Sequence, residues 1–148
     1  MVKVEKLNNY SAETATAVRN LLIDLSRSGR DRGEIPKEWF EMVIASPWHD
    51  LLLAVENGEI LGMASVSTVM GAGIRKNAYL EDFVVAKNTQ GKGVGSKIWE
   101  AILEWAREKG CGRLEFTSGK GREAAQAFYL KKGAEIYDTS FFRKDLSE

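Results

Sequence analysis

Among 148 residues there is one cysteine, Cys111, and one histidine, His49. A lone thiol cannot close an internal disulfide, which points to a reducing compartment. One histidine and one cysteine also argue against a zinc site and against Cys–His nucleophilic catalysis, so no metal is expected. Neither sign of charge is in excess: 21 Lys+Arg balance 21 Asp+Glu. A dedicated nucleic-acid binder would show a basic surplus, so that class is disfavoured. No apolar run reaches the roughly 18 residues of a membrane span, and "MVKVEKLNNY" lacks the apolar core of a signal peptide. Internal repeats, low-complexity segments and interdomain linkers are also missing. What is there, 44% hydrophobic and 28% charged residues, is the composition of a soluble globular protein. The expectation is a single domain over residues 1–148, located in the cytoplasm.

Hydrophobic periodicity orders the elements. Val2, Val4 and Leu7 predict a short strand. Ser11, with Glu13 and Thr14 behind it, is placed to cap a helix whose inner face is Ala15, Val18, Leu21, Leu22 and Leu25. "RSGRDRGEIP" reads as a loop, and Pro36 opens a short helix through Trp39, Phe40 and Val43. Two apolar runs around Asn57-Gly58 predict a hairpin, and "AYLEDFVVA" a further strand. A Gly-rich turn leads into a helix with Val94, Ile98, Ala101, Ile102 and Trp105 inward, ended by Arg107, Lys109 and Gly110. "RLEFTS" is a predicted strand, 122–132 a helix stopped by Gly133, and "AEIYD" and "SFFRKD" closing strands. The order predicts an α/β fold with a mixed, mostly antiparallel central sheet, one parallel βαβ unit and helices on both faces.

"NTQGKGVGSKIW", residues 88–99, carries the chemistry. Gly91, Gly93 and Gly95 alternate with Lys92, Val94 and Ser96 behind Gln90. Glycines at this density let backbone approach a ligand closely. A nucleoside-triphosphate loop, G-x-x-x-x-G-K-[ST], would start at Gly91 and place Lys97 correctly. Ser96 then stands where the second glycine belongs, and Ile98 where the magnesium-binding hydroxyl belongs. A dinucleotide fingerprint fails at Ser96 too. The helix N-terminus behind the loop presents unsatisfied N–H groups and partial positive charge, which suit a phosphate group without metal.

Gln90-x-x-Gly93-x-Gly95 between a strand and an amphipathic helix resembles the coenzyme A loop of the GNAT (Gcn5-related N-acetyltransferase) superfamily. The resemblance covers nearly the whole chain: "YLEDFVV", "QGKGVG" and "GREAAQAFYLKKGA" stand in that family's order and spacing. It implies the acyl-CoA N-acyltransferase fold and acetyl-CoA as cosubstrate. Coenzyme-binding residues would be Phe83, Val84 and Val85, whose strand meets the acetyl oxygen and pantetheine through backbone groups, and Gln90, Gly91, Lys92, Gly93, Val94, Gly95 and Ser96. Arg122 stands where the family often has a pantetheine-contacting asparagine, so a phosphate contact or a helix-start role is open there. The family's general acid is a tyrosine within "A-x-x-F-Y", here Ala125, Phe128 and Tyr129. A phenol with an ordinary pKa of about 10 remains protonated at neutral pH and can protonate a departing thiolate.

The family's base is a carboxylate or histidine near Tyr79 or Glu81. Strand alternation puts Tyr79, Glu81, Phe83 and Val85 on one face and Asp82 on the other, so Glu81 is the expected base and Asp82 the alternative. Either could instead pair with a lysine or arginine. His49, in a predicted turn after Pro47, is expected to be solvated, Cys111 part-buried, and Trp99 and Trp105 core residues. The acceptor side is expected from "RSGRDRGEIPKEWF", the hairpin end near Val69 to Arg75, and the closing strands. Arginines there hint at an anionic group on the acceptor, and Glu81 and Asp82 at its amine. The implied activity is direct acetyl transfer to the amine of a small molecule in a ternary complex. A protein or peptide N-acetyltransferase and a non-catalytic CoA-binding module are the alternatives, and a homodimer is possible by analogy with the family.

Overall fold

The computed structural model describes residues 1–147, within two units, Met1–Phe116 and Thr117–Glu148. In the first, alternating apolar residues build a five-stranded sheet whose strands lie side by side in chain order. They are β1 (Lys3–Lys6), β2 (His49–Glu56), β3 (Glu59–Gly71), β4 (Arg75–Val85) and β5 (Leu114–Glu115). Successive pairs from β1 to β4 are antiparallel, and β4 pairs with β5 in parallel. Asn57 and Gly58 turn β2 into β3 with φ of 51° and 77°. Positive φ at both positions suits the right-handed twist of a tight hairpin, and Asn-Gly tolerates it best.

Helix α1 (Ala12–Leu25) starts where Ser11 Oγ accepts the Thr14 N–H at 3.1 Å. Helix α2 (Lys37–Ala45) follows directly on Pro36. Leu7, Val18, Leu21, Phe40, Leu51, Leu53, Met63 and Val84 form one buried cluster, so α1 and α2 cover one face of the sheet. Leu52 and Ala54, alternating with Leu51 and Leu53, turn to the opposite face. There α3 (Val94–Glu108) packs on β1 to β4 and buries Ile98, Trp99, Ile102 and Trp105. Trp99 and Trp105 are core residues, as their helical spacing predicts. Gly62 is the point of closest approach: a Cβ built there would lie 2.8 Å from Ile98 Cδ1 and 2.9 Å from the Val84 carbonyl oxygen.

In the second unit α4 (Glu123–Lys131) is stopped by Gly133 at φ 92°, with the Ala134 N–H donating to the Tyr129 carbonyl. Two expectations need correction. "RLEFTS" contributes only Leu114 and Glu115 to the sheet, and the closing strands expected at 134–138 and 140–145 are absent among the described residues. Strand propensity is a preference for a pleated, half-buried surface. Ile136, Tyr137, Phe141 and Phe142 supply that preference, yet a strand exists only through a ladder partner, and all four side chains are exposed. No helix among the described residues is long and apolar enough to cross a membrane.

Candidate active site

The Gly-rich loop leaves β4 through a single 3-10 turn, Lys87–Thr89. Thr89 is buried and anchors that turn, its N–H and its hydroxyl both donating to the Ala86 carbonyl at 2.9 and 3.0 Å. Gln90 ties the loop to the end of the strand by donating from Nε2 to the Val85 carbonyl at 3.3 Å. Gly91 and Gly93 follow with φ of 85° and 81°, the left-handed region that disfavours any Cβ. A Cβ at either position would meet nothing within 4 Å. These glycines are therefore required by the turn of the backbone, and the space beside them is open.

Gly93 is the N-cap of α3 and provides no side-chain cap. Lys97 makes the first backbone bond of the ladder, donating to the Gly93 carbonyl at 3.2 Å. The amides of Val94, Gly95 and Ser96 precede that ladder and face out of the helix end. The start of this 15-residue helix thus combines outward N–H donors with partial positive charge.

Strand β4 supplies the second part. Met63 pairs with Val84 but Ser65 pairs with Glu81, so β3 advances two residues while β4 advances three. The extra residue is a β-bulge, and Asp82 sits in it with φ 50°. The uniform alternation expected for this strand is thereby broken. Tyr79 and Glu81 face α1 and α2, Val84 joins the core on that same side, and Phe83 turns the other way to stack on Trp99 with ring centroids 6.5 Å apart. Asp82 lies beside Glu81 rather than opposite it, accepting a hydrogen bond from Ser65 Oγ at 3.2 Å. Beyond Tyr79 the two ladders of β4 part: that with β5 covers Ala78 and Tyr79, and that with β3 runs on to Val85.

The sheet, α1 and α2 enclose a cleft of about 420 Å³. Its sheet wall carries two cross-strand rows, Leu51–Ser65–Glu81 and His49–Ser67–Tyr79, with Asp82 at the bulge. Leu22, Trp39, Phe40 and Val43 form the helical wall, joined by Ile35 from the loop ahead of α2. Neither Glu81 nor Asp82 makes an ion pair within 4.0 Å among the described residues. The lysine or arginine partner that would have made either carboxylate a structural charge is therefore not found there.

His49 is exposed, in line with its expected solvation, but the sequence misplaced its element. It opens β2 instead of lying in a turn, and it lines the cleft while Nδ1 shares a 2.9 Å hydrogen bond with Ser46 Oγ. Register alone assigns it there, and the continuous apolar run after it hides the register. Of the expected acceptor segments, Ile35, Trp39 and Phe40 line the cleft, whereas no residue of 69–75 does.

Arg122 and Tyr129 belong to the second unit. Arg122 is the N-cap of α4 without a side-chain cap bond, and its carbonyl accepts from the Gln126 N–H at 3.0 Å. Tyr129 lies edge-on to Phe128 with ring centroids 5.8 Å apart. Burial pushes the Tyr129 phenol above its ordinary value of 10.0, and the nearby Arg122 charge works against that rise. The phenol thus holds its proton throughout the neutral range. Cys111 is part-buried as expected, and burial raises its thiol pKa too.

The acetyltransferase (GNAT) family matches residues 16–134. The chain belongs to that family. An aminoalkylphosphonate N-acetyltransferase of Salmonella typhimurium is 26% identical over 146 residues, 97% of this chain and 91% of that protein. A thialysine N-epsilon-acetyltransferase of Bos taurus is 37% identical over 60 residues, 40% of this chain but only 35% of that protein. Among solved structures, an aminoglycoside acetyltransferase from an uncultured soil metagenomic sample superposes with a TM-score of 0.82 at 20% identity, over 99% of each chain. A transcriptional regulator from Bacillus halodurans superposes at 0.81 with 21% identity, over 98% of this chain and 100% of that one. At such identities these structures show the shared fold.

Proposed function

We propose that the chain is an N-acetyltransferase that moves the acetyl group of acetyl-CoA to the primary amine of a small molecule by direct attack in a ternary complex. The observation that carries this is the uncapped N-terminus of α3, reached through two left-handed glycines, in a chain of the GNAT family. The loop fits a pyrophosphate: it offers backbone amides, a lysine at Lys92, and open space where a Cβ would stand. When bound, acetyl-CoA supplies an acetyl group activated as a thioester. Gln90, Gly91, Lys92, Gly93, Val94, Gly95 and Ser96 would hold its phosphates, and backbone groups of Phe83, Val84 and Val85 its arm and acetyl oxygen. Arg122 is left to a phosphate contact or to starting α4. The family match runs from residue 16 to residue 134, which supports reading 1–148 as one acetyltransferase domain.

An ammonium ion cannot attack a carbonyl, so its proton has to leave first, and a carboxylate in the acceptor cleft can take it. We assign this role to Glu81, which lines the cleft without an ion pair among the described residues, with Asp82 as the alternative. Tyr129 holds the proton that a departing thiolate needs, and its raised pKa keeps that proton in place. The names of the Salmonella and bovine relatives, both acting on small amines, support a small acceptor over a peptide. Thiol release from acetyl-CoA across a panel of primary amines tests the proposal. Saturable release with at least one small amine is expected. CoA binding without release for any amine would instead identify a CoA-binding regulatory module.

A further inference from the structure

The walls of the acceptor cleft say which amines it takes. Glu81 and Asp82 supply its acidic lining, with no lysine or arginine among the described lining residues, and Asp50, although it touches the cleft, turns its carboxylate to the α3 face. Asp50 is already engaged, accepting from Trp105 Nε1 at 2.6 Å with Lys6 Nζ 3.9 Å away. Glu81 and Asp82 therefore set the potential inside, side by side because of the bulge. Arg27, Arg30 and Arg32, in the loop ahead of α2, are exposed and do not line the cleft, and two other nearby cations are paired. Arg19 forks onto Asp31 at 2.9 and 2.7 Å, and Lys37 lies 3.6 Å from Glu41. The rest of the wall is largely hydrocarbon, and the Trp39 indole stands at the cleft 62% exposed. An aromatic face attracts a cation and covers an apolar body equally well.

We infer that the cleft selects a primary amine carried on an apolar, uncharged body and rejects amines that bear a phosphonate, phosphate or carboxylate. This rests on the reading of the cleft as the acceptor site. It separates the chain from its full-length Salmonella relative, whose name specifies an aminoalkylphosphonate. A phosphonate in this cleft would face two carboxylates with no lysine or arginine in the lining to receive it, and like charges brought together at a binding surface are strongly disfavoured.

A matched pair tests the inference: 2-phenylethylamine and 2-aminoethylphosphonate, primary amines on the same two-carbon spacer with opposite distal groups. The expected result is a kcat/KM for phenylethylamine higher by about a hundredfold, the scale of a misplaced like charge. Equal values, or a preference for the phosphonate, would overturn the inference while leaving the transferase reading intact. Fluorescence titration in the presence of CoA gives a readout without turnover. Phenylethylamine should change the tryptophan emission saturably in the wild type and not in Trp39→Phe, and aminoethylphosphonate should compete poorly. If neither amine is acetylated, this titration alone decides the inference. A saturable emission change in Trp39→Phe as large as that of the wild type, or equal competition by the phosphonate, overturns it.

Discussion

Tyr129, Glu81 and Asp82 carry the residue-scale predictions because each is proposed to hold or take one proton. Tyr129→Phe removes one oxygen, so acetyl-CoA affinity should stay within a few-fold of wild type. Turnover should fall by about 10²–10⁴, the usual worth of a positioned general acid. A Tyr129 that only packs against Phe128 would instead show lost stability at an unchanged rate. The raised phenol pKa fixes the sign of the pH effect: any alkaline loss of activity due to Tyr129 should be displaced upward from that of an ordinary phenol. For the base, Glu81→Gln and Asp82→Asn should be compared with a good acceptor. The variant that removes the acidic limb of the kcat/KM profile identifies the proton acceptor, and the other should retain the limb. If both keep the limb, the amine loses its proton to water or binds already neutral. Asp82 is a full competitor only because the bulge brings it to the same wall, and no alternation pattern in the sequence contains that fact.

At the scale of single elements, the start of α3 and the loop after α1 respond to different probes. Saturating CoA should stabilise the protein by roughly 2.7 kcal/mol at about a hundred times its dissociation constant. Gly93→Ala carries a cost before any ligand arrives, since φ is 81° there and a left-handed L-residue costs about 1–2 kcal/mol. The informative quantity is therefore the shift on adding CoA, which should shrink well below the wild-type shift. An undiminished shift would detach the loop from the coenzyme, and a larger shift with ATP or NAD than with CoA would restore the loop types rejected on sequence. The Arg19–Asp31 fork, with the Gly33 N–H also donating to Asp31 at 2.8 Å, fastens that loop to α1. Arg19 and this N–H hold the Asp31 carboxyl down at about 2, from an ordinary 3.8. A lowered carboxyl pKa contributes stability that is complete above 3.8 and is lost as pH falls through about 2. Urea midpoints of wild type and Asp31→Asn should accordingly differ at neutral pH and converge near pH 2, by a small amount because both groups are exposed.

For the molecule as a whole, the contact between α3 and the sheet decides whether the two sides of the site stay in register. Gly62→Ala would force a methyl against Ile98 and the Val84 carbonyl, and overpacking of this kind costs about 1–3 kcal/mol. Denaturation should show that loss, together with weakened CoA binding, because Val84 and the start of α3 move with it. An unchanged midpoint would mean that α3 can slide without consequence. The sequence by itself determined the features that depend on neighbours along the chain. Ser11 caps α1, Asn57-Gly58 turns the hairpin, Gly110 and Gly133 end helices, and Gln90 to Ser96 form the loop, since each is set within a few residues by backbone conformation and local hydrogen bonding. Only the tertiary structure decided the features set by pairing between distant segments. The Asp82 bulge, the entry of His49 into the cleft, the two-residue length of β5 and the lack of strands at 134–138 and 140–145 all depend on register against another strand. A strand's own sequence fixes which residues alternate, but its partner fixes where the alternation begins, breaks and stops.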